Sequence, residues 1–134
     1  MMEPIIQAII QLRSGCSLHS TSIDMLAYAD EWTPMSETPI GLQVMLDTAG
    51  WVATWAILRF NPRQCVMLHI DSKILEAIST QFHILEGIPP ALSETLVYRH
   101  LGVPTGYRVA QSANRALKDI YFKLKMISES LLAP

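Results

Sequence analysis

Ala113, Leu117, Ile120, Leu124, Ile127 and Leu131 follow one another at spacings of 4, 3, 4, 3 and 4 residues. Such spacing brackets the 3.6-residue helical turn and holds one apolar stripe along one side of a helix. It predicts a helix over about 110–132, with Arg115, Lys118, Lys123 and Lys125 lying off the stripe. A second periodic run, Thr38 to Trp55, places Val44, Met45, Ala49, Val52 and Trp55 three or four apart, and Ser36 is the expected cap. Gly50 within it weakens the helix by about 1 kcal/mol relative to alanine. Met1 to Leu12 reads as a short helix with Pro4 in its first turn. Its apolar residues occupy more than one side, so it must be buried; opening the chain, it suggests a truncated domain.

Between these helices the sequence reads as strand and turn. Thr21 to Tyr28 alternates Ile23, Met25 and Ala27 with Asp24, Leu26 and Tyr28, and Glu31 to Met35 is its expected hairpin mate. Pro34 has no N–H to donate, so that mate should be an edge or end early. Asn61-Pro62 stops the preceding element, Cys65 to Ile70 and Thr80 to Leu85 read as strands around an Asp71-Ser72-Lys73 turn, and Leu96 to Leu101 reads as another strand before the Gly102 to Gly106 turn. The expected class is α+β: a small antiparallel sheet from the 21–35 hairpin and the 65–85 strands, packed by helices, plus a C-terminal helix. The expected division is 1–106 and 107–134.

Composition narrows the classes. The chain has 134 residues, half of them apolar and 16% charged, which suits one packed core and excludes a disordered chain. No run approaches the 18 continuous apolar residues of a membrane span, and the N-terminus lacks the layout of a signal peptide. Two cysteines and four histidines make neither a disulfide framework nor a zinc cluster. An intracellular compartment is the expectation, nuclear or cytoplasmic alike. The net charge of -2 hides an uneven layout. Only Arg13, Arg59, Arg63 and Lys73 are basic through residue 98, whereas Arg99, Arg108, Arg115, Lys118, Lys123 and Lys125 follow, opposed by Asp119 and Glu129. That basic third reads either as a solvated helix face or as a surface for a phosphate backbone.

Ala27-Tyr28-Ala29-Asp30-Glu31 places an acidic pair at the tip of the predicted hairpin. A stiff turn can hold oxygen ligands for two-metal phosphoryl transfer, and solvent satisfies the same carboxylates equally well. The wider chain resembles the reverse transcriptases of non-LTR retrotransposons, from the end of the central palm to the start of the thumb. Their catalytic hairpin reads Tyr-Ala-Asp-Asp; Tyr28, Ala29 and Asp30 match it, and Glu31 stands in place of the second aspartate. Gly41-Leu42-Gln43-Val44-Met45-Leu46-Asp47 is similar to the helix that follows in the family. Trp55-Ala56, Arg59-Phe60-Asn61-Pro62 and Cys65 correspond to the pattern after that helix. Tyr98-Arg99-His100-Leu101-Gly102 is similar to the hairpin that grips the primer terminus. The chain departs from the family at Trp32-Thr33-Pro34, where an aliphatic residue usually opens the second strand, and at Ile57, where the family usually turns with glycine.

The resemblance implies a partial polymerase palm and the first helix of a thumb. It implies RNA-directed DNA polymerisation as the family chemistry, with Mg²⁺ as cofactor and RNA or an RNA/DNA hybrid as partner. Asp30 would be a metal ligand and Asp30 with Glu31 the catalytic pair; Tyr98, Arg99, Leu101 and Gly102 would grip the primer. Arg108, Arg115, Lys118, Lys123 and Lys125 would meet nucleic acid. The earlier palm aspartate and the fingers have no counterpart in this sequence, so the chain alone is expected to be an inactive fragment. The alternative is a non-catalytic RNA-binding or protein-interaction module on the same scaffold, with self-association through apolar surface left exposed. Trp51 and Trp55 share a helix face and are expected in a helix-on-sheet core, Tyr28 is expected to pack under the hairpin, and Cys65 is expected to be a buried strand residue. His69, His83 and His100 fall on or beside predicted strands and are expected to be ordinary strand residues.

Overall fold

A computed structural model of the chain describes residues 2–85, 87–92, 98–100, 103–107 and 113–129. It is a small α+β protein, with short two-stranded antiparallel sheets packed by helices and a C-terminal helix. Two compact units, Met1–Ala91 and Leu92–Pro134, divide it.

In the first unit, helix α1 (Glu3–Leu12) starts with proline in its first turn and stops where Arg13 adopts a left-handed conformation. Ile5 and Ile9, one turn apart, are its buried pair. Two hairpins follow: β1 (Cys16–Leu18) with β2 (Thr21–Ile23), and β3 (Met25–Tyr28) with β4 (Glu31–Pro34). The single strand expected over 21–28 is therefore broken at Asp24. There the Asp24 carboxylate accepts from the Gly15 N–H at 3.0 Å, and its carbonyl accepts from Met35 N–H at 2.9 Å. Asp24 thus joins two hairpins instead of lying inside one strand. Strand β4 ends at Pro34, as its missing N–H requires.

Helix α2 (Pro39–Trp55) begins one residue after Thr38, whose hydroxyl accepts from the Gly41 N–H at 3.0 Å. Thr38, not Ser36, is the cap, because Pro39 at the first helical position sets φ and needs no donor partner. Ser36 instead accepts from the Thr38 N–H at 3.3 Å. At the other end, Leu58 N–H donates to Ala53 C=O at 2.8 Å and Ile57 N–H donates to Thr54 C=O at 3.2 Å. That pair of bonds is a Schellman ending, with Ile57 in the left-handed position at φ 60° that glycine normally takes.

Helices α1 and α2 pack on each other, with β3 against α1 and β4 against α2. One buried cluster joins Ile5 and Ile9 to Met45, Ala49 and Ala53; a second joins Leu46 to Met67, Phe82 and Ile84. Trp32 and Phe60, with ring centres 5.3 Å apart, flank both. Gly50 has a packing reason: a Cβ there would come within 2.9 Å of the Leu85 side chain.

The strands expected over 65–70 and 80–85 do not form. After a 3-10 turn at Pro62–Gln64, the described residues up to Ala91 make isolated bridges only: Met67 with Ala91, Ile70 with Ala77 and Ile84 with Gly87. The turn after Asp71 does form, its carboxylate accepting from the Lys73 and Ile74 N–H groups at 2.8 and 3.1 Å. These bonds hold the Asp71 carboxyl below its ordinary range. Trp51 and Trp55 are 82% and 79% exposed, so they are not in the core. The buried side of α2 is made by Met45, Leu46, Ala49, Gly50 and Ala53, and around its small second half the neighbours pack closely, so the indoles lie on the other side.

In the second unit, β5 (Tyr98–His100) pairs with β6 (Val103–Thr105), and α3 spans Ala113–Ser128. Among the described residues no helix is long and apolar enough to cross a membrane.

Ile57 is 92% exposed, so replacing it loses little packing while relieving a β-branched residue at positive φ. Ile57→Gly should raise stability by about 0.5–1 kcal/mol, the relief of a left-handed L-residue less the entropy glycine adds to the unfolded chain. The measurement is a urea unfolding midpoint; an unchanged or lower midpoint would contradict the Schellman assignment.

Candidate functional site

The acidic pair sits where the sequence places it. Strands β3 and β4 pair Tyr28 with Glu31, leaving Ala29 and Asp30 as a two-residue turn with Ala29 at φ 53°. Asp30 is exposed at this tip, while Glu31 is half-buried at the start of β4. Tyr28 is 67% exposed and does not pack under the hairpin as expected, since its strand position faces away from Met25 and Trp32 at the core. Among the described residues, no three His, Cys, Asp or Glu side chains come together as a metal-binding group. The hard carboxylate oxygens of Asp30 suit Mg²⁺, which commonly takes one or two protein carboxylates with water and phosphate completing its shell. Asp30 at the tip would hold such an ion with water completing the shell, and a bridged two-ion site needs more rigid oxygen ligands than Asp30 and the half-buried Glu31 supply.

The second predicted site is a hairpin too. Tyr98, Arg99 and His100 form β5, paired with Thr105, Pro104 and Val103. Tyr98 is half-buried. Leu101 and Gly102 lie outside the described residues, as does Arg108.

Helix α3 carries Arg115 in its first turn and exposes Lys118, Lys123 and Lys125. Lys118 and Lys125 are seven residues apart and share a side. With Leu117, Tyr121 and Phe122 they line a shallow depression of about 650 Å³. Lys123 projects from a different side, so the three lysines are not one cluster. Lys125 also lies 3.8 Å from the Glu129 carboxylate, an exposed pair of small energetic weight. The stripe residues Leu117, Ile120, Leu124 and Ile127 are all exposed on this helix.

No protein-family model and no curated protein sequence matches this chain. Two features of the first unit lie outside the sequence motifs. Gln43 of α2 makes a two-way clamp on the backbone of His83: its side-chain N–H donates to the His83 carbonyl, and its oxygen accepts the His83 N–H, each at 3.0 Å. It ties a strandless segment to α2 much as a β-bridge would. Asn61, Pro62, Arg63, Gly87, Ile88 and Pro90 line a second open depression of about 550 Å³. The Asn61 side chain accepts from the Arg63 N–H at 3.1 Å, so the Asn61-Pro62 pair starts a turn at its rim. In the sequence the Asn61-Pro62 pair marks a turn and Gly87, Pro89 and Pro90 mark an extended, non-helical crossing; that the two segments meet is not legible there.

His69 and His83 lie outside any strand, against expectation, and serve local structure. His69 Nδ1 is 2.6 Å from the Thr80 hydroxyl, and His83 is held through its backbone. Cys65 is half-buried and lies outside any strand. Its thiol donates to the Asn61 carbonyl at 3.3 Å, and burial pushes its pKa up.

Gln43→Ala removes both clamp bonds and should cost about 1–2 kcal/mol by urea unfolding, with backbone exchange at His83 rising in the same variant. In a Cys16→Ser background, Cys65 in the native chain should alkylate more slowly near pH 8 than in urea. The raised thiol pKa means the folded chain holds its proton after the unfolded chain has lost it. Stability attached to Cys65 is therefore intact below the ordinary thiol value of about 8.5 and declines as pH rises through the folded value.

Proposed function

We propose that the chain is the closing part of a palm and the opening of a thumb from a reverse transcriptase of the non-LTR retrotransposon kind. It binds RNA or an RNA/DNA hybrid and has no complete polymerase centre of its own. The observation that carries this reading is the Tyr28-Ala29-Asp30-Glu31 sequence on a two-residue hairpin turn with Asp30 exposed at the tip. That is the placement a metal-binding palm hairpin needs. Two further features support it. Ile57, aligned with a family glycine, takes the left-handed backbone that favours glycine. The Tyr98–His100 segment, similar to the primer-gripping motif, forms the first strand of a hairpin.

The chemistry of the parent family adds a deoxynucleotide to a primer 3′ end. Asp30 would hold Mg²⁺ and the β5–β6 hairpin would hold the primer strand. Lys118 and Lys125 would neutralise phosphates from one side of α3, with Tyr121 and Phe122 beside them. A non-catalytic RNA-binding module on this scaffold is the second reading, favoured by the same α3 surface, and it needs no metal at Asp30.

Titration of a labelled single-stranded RNA across salt concentrations tests the shared core of both. Each phosphate neutralised should contribute about -0.7 to the slope of log affinity against log salt. Lys118→Glu with Lys125→Glu should flatten that slope more than Lys123→Glu. Affinity indifferent to salt would overturn the nucleic-acid reading. Asp30→Asn separates the two: it should weaken Mg²⁺-dependent binding of an RNA/DNA hybrid under the first reading and leave that binding unchanged under the second.

A further inference from the structure

Helix α2 is apolar on the side that faces the solvent as well as on the side that faces the core. Ile40, Trp51 and Trp55 are about four-fifths exposed and Val44 is also exposed. Ile40 to Trp51 and Val44 to Trp55 are each eleven residues, and eleven residues make just over three full turns. The four side chains therefore form a straight stripe within an arc of about 60° and over a length of about 22 Å. Helix α2 contains no basic residue, and its only acidic one is Asp47, whose carboxylate accepts from Gln43 at 2.7 Å.

We propose that this stripe is the contact surface of a homodimer in which two α2 helices lie antiparallel. The order of sizes along the stripe points to a second copy of the chain as the occupant. A two-fold axis between Asp47 and Thr48 sets Ile40 opposite the partner's Trp55 and Val44 opposite the partner's Trp51. Each indole then meets an aliphatic side chain, and each of these contacts occurs twice, as an isologous interface requires. The same axis sets Asp47 beside the partner's Asp47 on one edge of the stripe, where solvent screens the two carboxylates, and Thr48 beside the partner's Thr48 on the other edge. A charged stripe would repel its own copy; this one carries no charge along its crest.

The area is of the right order. Two tryptophans and two aliphatic residues so exposed offer roughly 600 Å² per copy, near the about 800 Å² that a standard interface takes from each partner. Asp47 and Thr48 beside the stripe add to it. A contact of this size, with only the Asp47 pair at its edge, is expected to dissociate in the micromolar range and to tighten slightly as salt rises.

Sedimentation velocity of the full chain from about 1 to 100 μM should show a monomer–dimer equilibrium. Trp51→Glu and Val44→Lys should each weaken it at least tenfold while leaving the urea midpoint unchanged, because both residues lie outside the buried clusters. Mixing those two variants is the decisive step. In the proposed register the heterodimer pairs the new lysine with the new glutamate at one contact and keeps valine on tryptophan at the other. The mixture should therefore dimerise more tightly than either variant alone. A wild-type chain that stays monomeric, a dimer that survives Trp51→Glu, or a mixture no tighter than its components would each overturn the proposal. So would a monomer whose tryptophan emission changes only when phosphatidylcholine vesicles are added.

Discussion

Packing around α2 is the constraint on which the first unit depends. Met45, Ala49 and Ala53 meet α1 through Ile5 and Ile9, while Leu46 meets Met67, Phe82 and Ile84. The two buried clusters are thus built on neighbouring sides of a single helix. The hairpins and the 65–91 segment are too short or too irregular to stand without it, since an isolated two-stranded ribbon is marginal in water. Small residues on the buried side let the neighbours approach closely, and that closeness excludes the tryptophans from the same side.

A few polar bonds then settle what apolar packing leaves open. Asp24 turns a run of strand-forming residues into the junction of two hairpins. Thr38 and the bonds around Ile57 define the two ends of α2, and Gln43 anchors the backbone at His83 to its middle. Each supplies a backbone group with a partner that no continuous ladder provides there. The 65–91 segment shows the consequence: it buries Met67, Phe82 and Ile84 while making only isolated bridges.

For function, the structure separates features that the sequence places side by side. Asp30 stands at a hairpin tip in solvent, whereas Glu31 is half-buried at the start of β4. On α3, Lys118 and Lys125 share a surface with Tyr121 and Phe122, and Lys123 points elsewhere. A phosphate-binding surface made from this helix is consequently narrower than its count of basic residues suggests. The exposed stripe of α2 is a separate surface with the opposite chemistry, apolar where α3 is mixed.

Much of the local architecture was legible in the residues alone. The three helices, the end of β4 at Pro34, the acidic turn at Ala29-Asp30 and the Asp71 turn follow from periodicity, missing donors and turn chemistry, all of which act over a few residues. What covers each face does not. The 65–70 and 80–85 segments have strand composition, yet no neighbouring strand reaches them, and a ladder requires a partner. Trp51 and Trp55 have core composition, yet the core side of α2 is already filled by Ile5, Ile9, Phe82 and Ile84. Periodicity decides which side chains share a side of a helix; only the tertiary packing decides which side is covered, because that depends on distant parts of the chain competing for the same surface.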